Sequence, residues 1–417
     1  MGTVLKNSWP LFLGMMLLML GNGLQGTLLG IRGALEGFSA NTMAWVMSGY
    51  FIGFLGGSRM APEMIRRVGH VRVFAALASL VSAALILYAA VPNVIAWFGL
   101  RILIGFCFSG VYVVAESWLN DSATNETRGQ TLSLYLIVQM IGIVAAQGVL
   151  NFADPGGYTL FIISSVLVSV SFAPILLSIS PAPMFKATKP MSFRRLYATS
   201  PTAVVGTLLL GSIFSALFGM ASVYGTQKGL DVRSITLFVA MIYIGGMICQ
   251  YPIGWVSDRM DRRKLIIYMT IVGAVAMAIA PFFTGNIYLL MLLSFILGGI
   301  CNPLYSLYLA YMNDYLEPDD MAAASGGLIF ISGCGAIGGP FLVGWMMTTY
   351  GADSFFIYLA VLLGLSAAWA LFRSTVRDAP NVADTGSYAH VAPGTSVVAV
   401  ELATEVAIEM AEEEGDT

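Results

Sequence analysis

The sequence is short of charge. Only 10% of its 417 residues are charged, whereas 58% are hydrophobic. Soluble domains carry about 25% charged residues. So few charges cannot cover the surface of a water-soluble protein of this length. An ordinary cytosolic enzyme is therefore excluded, and most of the chain is expected to lie in lipid.

Residues that hold metals or phosphates are also scarce. The only two histidines are His70 and His390. The four cysteines all lie in apolar runs, so neither a disulfide framework nor a Cys/His metal cluster is expected. The chain lacks a G-x-x-x-x-G-K-[ST] phosphate loop, so ATP does not drive it directly. We expect no enzymatic activity, no metal, no cofactor and no nucleic-acid partner.

Long apolar runs are abundant. A membrane helix needs about 20 apolar residues. Runs without charge cover 7–31, 37–58, 73–100, 129–153, 155–185, 196–227, 234–257, 265–313, 321–352 and 354–372. The run 265–313 is long enough for two spans, and 94–119 is a further span with two charges. This pattern predicts an all-α integral membrane protein with twelve transmembrane helices in a lipid bilayer.

The basic residues predict the orientation. With the N-terminus inside, sixteen Lys and Arg residues fall on the cytoplasmic side and three on the other, and Arg101 lies within a span. This bias follows the positive-inside rule, so both termini are predicted to be cytoplasmic. The first apolar run is too long for a cleavable signal peptide.

The chain repeats itself at a nearly fixed offset. Residues 37–39 match 229–231 and residues 66–72 match 258–264, both at an offset of 192, and 120–121 match 313–314 at 193. Two pseudo-symmetric six-helix halves, a design common in secondary transporters, are therefore predicted. The predicted division is a first half at 1–179, a cytoplasmic linker at 180–200, a second half at 201–375 and a tail at 376–417.

The tail differs from the body in charge. From Arg377 onward there are one basic and nine acidic residues, which gives −8, whereas residues 1–376 carry 19 basic and 14 acidic residues, which gives +5. Its composition predicts disorder over 378–396 and a short helix over 398–414. The tail either solubilises the chain or docks onto an unknown partner protein.

One loop carries a family motif. Residues 254–264 read Gly-Trp-Val-Ser-Asp-Arg-Met-Asp-Arg-Arg-Lys. This loop resembles the G-x-x-x-D-R-x-x-R-[RK] loop of the major facilitator superfamily (MFS), and the resemblance covers about 7–375. It implies a conformational-switch role for Gly254, Asp258, Arg259, Arg262 and Arg263. By the same resemblance, Asp258 would face the start of the fifth span near Arg128, where a carboxylate is stabilised by the helix dipole.

Three shorter segments resemble the YcaD-like bacterial branch of this family. They are Gly-Leu-Gln-Gly at 23–26, Tyr-Val-Val-Ala-Glu-Ser at 112–117 and Gln-Tyr-Pro-Ile-Gly at 250–254. The resemblance implies an MFS transporter of the inner membrane whose first, fourth, seventh and tenth spans line a central cavity. The candidate substrate-binding residues are Gln25, Arg101, Tyr112, Gln139, Tyr224, Asn302 and Tyr305.

Two charges lie within the fourth predicted span. Arg101 begins an R-x-x-x-G pattern that resembles a motif of proton-coupled members, and an ion inside a span is functional by default. The alternative is that Arg101 extends to the membrane interface. Glu116 lies about 22 Å further along the helix axis. It is a candidate proton site, and an ion pair with Arg128 or the 66–72 loop is the alternative.

These observations favour a monomeric secondary active transporter for a small organic solute, in particular an anion, with the proton as coupling ion. Two alternatives remain. One is a proton-driven efflux antiporter for drugs or metabolites. The other is a non-transporting assembly factor or receptor on the same scaffold, with the tail as its active part.

Overall fold

The computed structural model describes a helical protein. It covers residues 2–122, 125–176, 191–377 and 380, and in the tail 386, 388, 390–391, 394–396 and 398–406. Within these residues every regular element is a helix. Residues 177–190, which include the first part of the predicted 180–200 linker, and the remaining tail residues, including 407–417, lie outside the described residues.

Fourteen α-helices follow one another from Gly2 to Ser374, and tail residues 398–406, in the predicted 398–414 segment, are helical as well. The first seven are α1 (Gly2–Leu35), α2 (Ala40–Val68), α3 (His70–Ala90), α4 (Val94–Ser122), α5 (Asn125–Val149), α6 (Thr159–Ser171) and α7 (Ala173–Leu176). The others are α8 (Phe193–Thr199), α9 (Pro201–Gln227), α10 (Val232–Ser257), α11 (Arg262–Ile279), α12 (Ile287–Asn313), α13 (Pro318–Tyr350) and α14 (Ser354–Ser374). Short 3₁₀ segments follow α5 and α11.

Ten of the described helices are long and apolar enough to cross a membrane. They are α1, α3, α4, α5 and the six long helices α9 to α14. The predicted second span corresponds to α2, which ends in a charged segment, and the sixth corresponds to α6, an apolar helix of 13 residues. The all-helical, multi-pass membrane architecture is thereby confirmed, while the count of twelve stays a prediction.

The same turn is built twice, 192 residues apart. Gly37 and Gly229 both have a positive φ, at 77° and 74°, which glycine adopts without steric cost. The next residue in each case donates its amide to a carbonyl five residues back, over 2.8 Å from Phe38 to Gly33 and 3.0 Å from Leu230 to Gly225. This is the hydrogen bond of a Schellman helix end. The repeat seen in the sequence therefore corresponds to repeated backbone geometry.

Helix packing is repeated at the same offset. A Cβ on Gly53 of α2 would overlap the carbonyl oxygen of Ile102 on α4, and one on Gly105 would overlap that of Tyr50. The equivalent pairs between α10 and α12 are Gly245 with Phe295 and Gly298 with Ile242. Glycine at these positions lets two membrane helices approach until their backbones touch.

The chain folds into two compact units that depart from the two sequence halves. Unit 1 comprises Met1–Ala187, Ser215–Ala240 and Ile337–Ala352, and unit 2 comprises Thr188–Phe214, Met241–Ala336 and Asp353–Thr417. Parts of α9, α10 and α13 therefore belong to unit 1. There the side-chain amide of Asn151 donates to Thr236 over 3.1 Å, and the rings of Trp45 and Phe341 lie 4.6 Å apart.

The glycine contacts give a stability prediction. We expect Gly105→Ala to lower the melting temperature in detergent, because the new Cβ must push the backbone of Tyr50 away, at a cost of about 1–3 kcal/mol. Gly99→Ala on the same helix is the matched control, since no described atom lies within 4 Å of its Cβ position. Equal melting temperatures for the two variants, measured by scanning fluorimetry, would contradict this packing.

Candidate functional site

Arg101 lies inside unit 1, and only 4% of its surface is exposed. It is placed by α4, whose neighbouring Gly105 allows close contact with α2. Its guanidinium donates one hydrogen bond of 3.0 Å to the side-chain oxygen of Gln25 on α1. A second N–H points at the sulfur of Met47 on α2 over 3.1 Å. The cation is therefore held by neighbouring helices, which argues against extension to the interface.

A hydrogen-bonded chain continues from Arg101 along α1. Gln25 donates to the side-chain oxygen of Asn22 over 3.2 Å, and Asn22 donates to the hydroxyl of Tyr112 over 3.4 Å. Tyr112 in turn points at the sulfur of Met19 over 3.3 Å. The structure thus joins three of the predicted binding residues, Gln25, Arg101 and Tyr112, into one network with Asn22.

The Arg101 network keeps its positive charge. The guanidinium carbon lies 5.1 Å from the ring centre of Tyr50, a cation–π contact. Its Nε has no hydrogen-bond partner. Within the described chain no carboxylate lies within ion-pair distance of it. An amide oxygen, a sulfur and a π-face solvate the cation without neutralising it, so the network could bind an anion.

Glu116 forms a second buried group further along α4. Its side chain is fully buried and accepts a hydrogen bond of 3.1 Å from the hydroxyl of Tyr135 on α5. The same phenol lies beside Gln139 and Tyr112. Tyr112 therefore belongs to the Arg101 network and lies near the Glu116 group. Of the predicted ion-pair partners, Arg66 binds Glu63 over 2.7 Å, and the side chain of Arg128 lies outside the described residues.

The other predicted binding residues do not join this network through the described contacts. Tyr224 in unit 1 is fully buried and packs on Phe238, with ring centres 5.5 Å apart. Asn302 and Tyr305 are buried in unit 2. Asn302 donates to the carbonyl of Gly298 over 3.1 Å, while its side-chain oxygen lacks a partner.

The loop motif forms a buried charge cluster in unit 2. Arg262 is 3% exposed and donates to Asp314, to Asp258 over 3.3 Å and to the hydroxyl of Ser257 over 3.1 Å. Burial raises the pKa of Asp314 to about 6, against the lowering effect of Arg262. Two carboxylates therefore surround one guanidinium, and the loop is held to the end of α12.

The remaining motif residues have local contacts. Arg259 stacks on the ring of Trp255, with its guanidinium carbon 4.3 Å from the ring centre, and donates to the carbonyl of that residue over 3.0 Å. Arg263 donates to the carbonyl of Arg377 over 2.5 Å. Asp258 also accepts a hydrogen bond of 2.8 Å from the amide of Tyr388 in the tail. The predicted contact of Asp258 with the start of the fifth span stays a prediction; α5 itself begins at Asn125.

Sequence reasoning missed several residues of these sites. Asn22, Met47 and Tyr50 complete the Arg101 network, but a single polar or aromatic residue in an apolar run does not reveal which helix it faces. Asp314 did carry a signal, because the sequence repeat singles out the pair 313–314. In the described residues, no group of three or more His, Cys, Asp or Glu side chains could hold a metal.

The sequence and this site agree with one family. The sequence profile described as Major Facilitator Superfamily matches residues 11–249 and 203–405. The chain therefore belongs to the Major Facilitator Superfamily, as the loop motif predicts.

The similar relatives indicate a branch of this family but name no substrate. The chain is 27% identical to the uncharacterized MFS-type transporter YfkF of Bacillus subtilis, over 78% of this chain and 86% of that protein. It is 25% identical to the uncharacterized MFS-type transporter YcaD of Escherichia fergusonii, over 83% of this chain and 90% of that protein. The predicted resemblance to an MFS transporter of the YcaD kind is thereby confirmed.

Solved structures share the fold. The nucleoside transporter NupG, as its D323A mutant, superposes with a TM-score of 0.75 at 15% identity, over 88% of this chain and 99% of that one. A bacterial homolog of the human lysosomal transporter Spinster, inward-facing and occupied, gives 0.72 at 12% identity, over 90% and 97%. These two structures show the fold, while the family and the relatives described as MFS-type transporters identify a multi-pass membrane transporter rather than an enzyme.

The buried charge cluster gives a second stability prediction. We expect Asp314→Asn to destabilise the protein by about 3 kcal/mol, because it leaves the buried guanidinium of Arg262 with one distant carboxylate. Asp320→Asn is the matched control. It breaks the pair with Arg195, whose side chain is 59% exposed, at a cost of about 0–1 kcal/mol. Melting curves in detergent should separate the two variants; indistinguishable curves would contradict a structural role for the cluster.

Proposed function

We propose that this protein is a secondary active transporter that moves a small organic anion across the bacterial inner membrane, coupled to protons. The proposal rests chiefly on one observation, the buried guanidinium of Arg101. A cation costs several kcal/mol in an apolar span, and this one has no carboxylate partner among the described residues. An incoming carboxylate or phosphate would supply the missing charge in the planar, two-pronged geometry that arginine binds best.

The proposed architecture is a monomer with twelve spans in two six-helix halves and both termini in the cytoplasm. The repeated turns and glycine contacts support the two halves, at 1–179 and 201–375, joined by the 180–200 linker. The excess of basic residues on one side supports the orientation. Substrate would bind near the midplane and be exposed to each side in turn as the halves rock.

Other buried polar residues are proposed to complete the substrate site. Gln25 and Tyr112 are joined to Arg101 by hydrogen bonds, so they would orient the anion. Gln139, which lies beside Tyr135 near Glu116, would also contact the substrate. Tyr224, Asn302 and Tyr305 would contribute from the seventh and tenth spans, and the partnerless side-chain oxygen of Asn302 supports that role.

Glu116 is the proposed proton carrier. A carboxyl group surrounded by apolar helices binds a proton more readily than one in water. Tyr135, which donates to Glu116, lies near Tyr112, and Tyr112 accepts a hydrogen bond from Asn22 of the Arg101 network. A change in the charge of Glu116 would therefore act on the anion site over a short distance.

Asp258 is the proposed conformational switch, with Gly254, Arg259, Arg262 and Arg263 as its supports. In one state its carboxylate would cap the N-terminal end of α5, and in the other state this contact would break. The burial of Arg262 against the loop supports a rigid base for such a switch.

The substrate class can be tested by ligand-induced stabilisation. We expect benzoate, succinate or a related carboxylate to raise the melting temperature of the wild type, with little effect of neutral sugars. Arg101→Gln should abolish the shift, because the amide lacks the charge. Arg32→Gln is the matched control, since Arg32 pairs with Glu36 over 2.7 Å. A neutral solute that stabilises wild type and Arg101→Gln equally would overturn the anion proposal.

Proton coupling can be tested at Glu116. In proteoliposomes, uptake of the stabilising carboxylate by the wild type should rise about tenfold as the outer pH falls from 7.5 to 5.5. Glu116→Gln should transport at a rate that no longer depends on pH. Glu36→Gln is the control, because it removes a different carboxyl group and leaves that of Glu116 in place. A well-folded Glu116→Gln protein with the full pH dependence of the wild type would contradict this role.

A further inference from the structure

Three tail residues, Gly386, Tyr388 and Val391, occupy a groove on unit 2, the tail groove, formed by α10, the start of α11 and the C-terminal part of α12. Its lining residues are Gln250, Gly254, Asp258, Arg262, Ser306 and Asp314. The first three are spaced four residues apart, so they follow one face of α10 to the residue just after its C-terminal end. The tail groove therefore includes three residues of the loop motif.

Gly386 lies at one end of the tail groove. Arg262 donates to its carbonyl, and its backbone lies beside the carboxylate of Asp314. The same two side chains form the buried ion pair of the loop motif. Gly386 thus adds one hydrogen bond to an existing charge cluster, at a place where burial makes an unpaired polar group costly.

Tyr388 fits the middle of the tail groove. A Cβ on Gly254 would lie 2.7 Å from its ring, so only glycine leaves room for the aromatic side chain. Its hydroxyl accepts a hydrogen bond of 2.5 Å from Gln250. Its amide donates to Asp258 over 2.8 Å, onto the same oxygen that receives Arg262.

Ser306 holds the far end of the segment. Its hydroxyl donates to the carbonyl of Val391 over 3.0 Å and accepts from the amide of that residue over 3.0 Å. It also accepts from Gln250 over 3.2 Å, which uses its full hydrogen-bonding capacity. Val391 is 1% exposed. Burial lowers the pKa of the adjacent His390 to about 4, so this imidazole is neutral when the tail is seated.

We propose that the tail, through Gly386, Tyr388 and Val391, is an intramolecular regulator of the loop motif, which slows the transport cycle by occupying Asp258. This regulation rests on the proposed switch function of Asp258. Gly254 and Asp258 would then serve two ligands in alternation, the tail and the N-terminal end of α5. Release of the tail would free the carboxylate for the second contact.

Binding of the tail in the tail groove can be tested in the full-length protein by hydrogen exchange and mass spectrometry. Tyr388→Ala removes the ring that packs on Gly254. Ser306→Ala removes the two hydrogen bonds to Val391 and leaves the tail sequence unchanged. In both variants the amides of 386–396 should exchange about tenfold faster than in the wild type. Tyr268→Ala, which removes an exposed tyrosine of α11 outside the tail groove, should leave the exchange unchanged. Wild-type exchange rates in both variants would overturn the proposal.

Competition for Asp258 is tested in the same samples. In Tyr388→Ala the amides of 125–131, at the start of α5, should exchange about threefold more slowly, because the freed carboxylate caps them. Adding Asp258→Asn to Tyr388→Ala should remove this gain. If the tail is released while exchange at 125–131 is unchanged, the regulatory role is wrong. Failure of the carboxylate screen would instead count against the proposed substrate and would leave these exchange results intact.

Discussion

A charge inside an apolar body must be solvated by the protein itself, and this constraint organises both sites. Arg101 is held by an amide, a sulfur and an aromatic face, so its charge persists. Arg262 is held by the carboxylates of Asp258 and Asp314, so its charge is compensated. The first arrangement suits a ligand that brings negative charge. The second arrangement suits a structural role, in which Arg262 holds the loop to the end of α12 and the carboxylates can accept further hydrogen bonds.

The scaffold is repeated, whereas the chemistry is not. The turns at Gly37 and Gly229 and the glycine contacts of α2–α4 and α10–α12 recur at the same offset. At the corresponding position in the second half, Arg101 is replaced by Ser294, and Asp258 corresponds to Arg66 in the first-half loop. Helix packing tolerates little change, because a single added carbon would overlap a backbone atom. Polar side chains such as Arg101 and Asp258 could therefore differ between the two halves without disturbing the glycine contacts.

The sequence predicted the features that depend on composition and spacing. Runs without charge predicted the membrane helices, the repeated Gly37 and Gly229 segments predicted two similar halves, and the loop at Asp258 predicted the family. Of the Arg101 network, Gln25 and Tyr112 were among the candidates, because they lie in spans that line the cavity by resemblance to the family. Asn22 and Tyr50 were missed, because their value depends on which helix faces which. The seat of Tyr388 was unpredictable, since the tail composition indicates disorder and its contacts are distant in sequence.

The tail groove also has a consequence for biosynthesis. Tyr388 follows Asp314 by 74 residues (388 minus 314), and α13 and α14 lie between them. At about 5–20 residues per second, the ribosome delivers the tail several seconds after the groove has been synthesised. During that interval the hydroxyl of Ser306 and the Arg262–Asp314 pair lack their tail partners. The tail can therefore bind in the groove only after α13 and α14 have been synthesised. A chain that ends before Tyr388 would leave these polar groups of the groove without their tail partners.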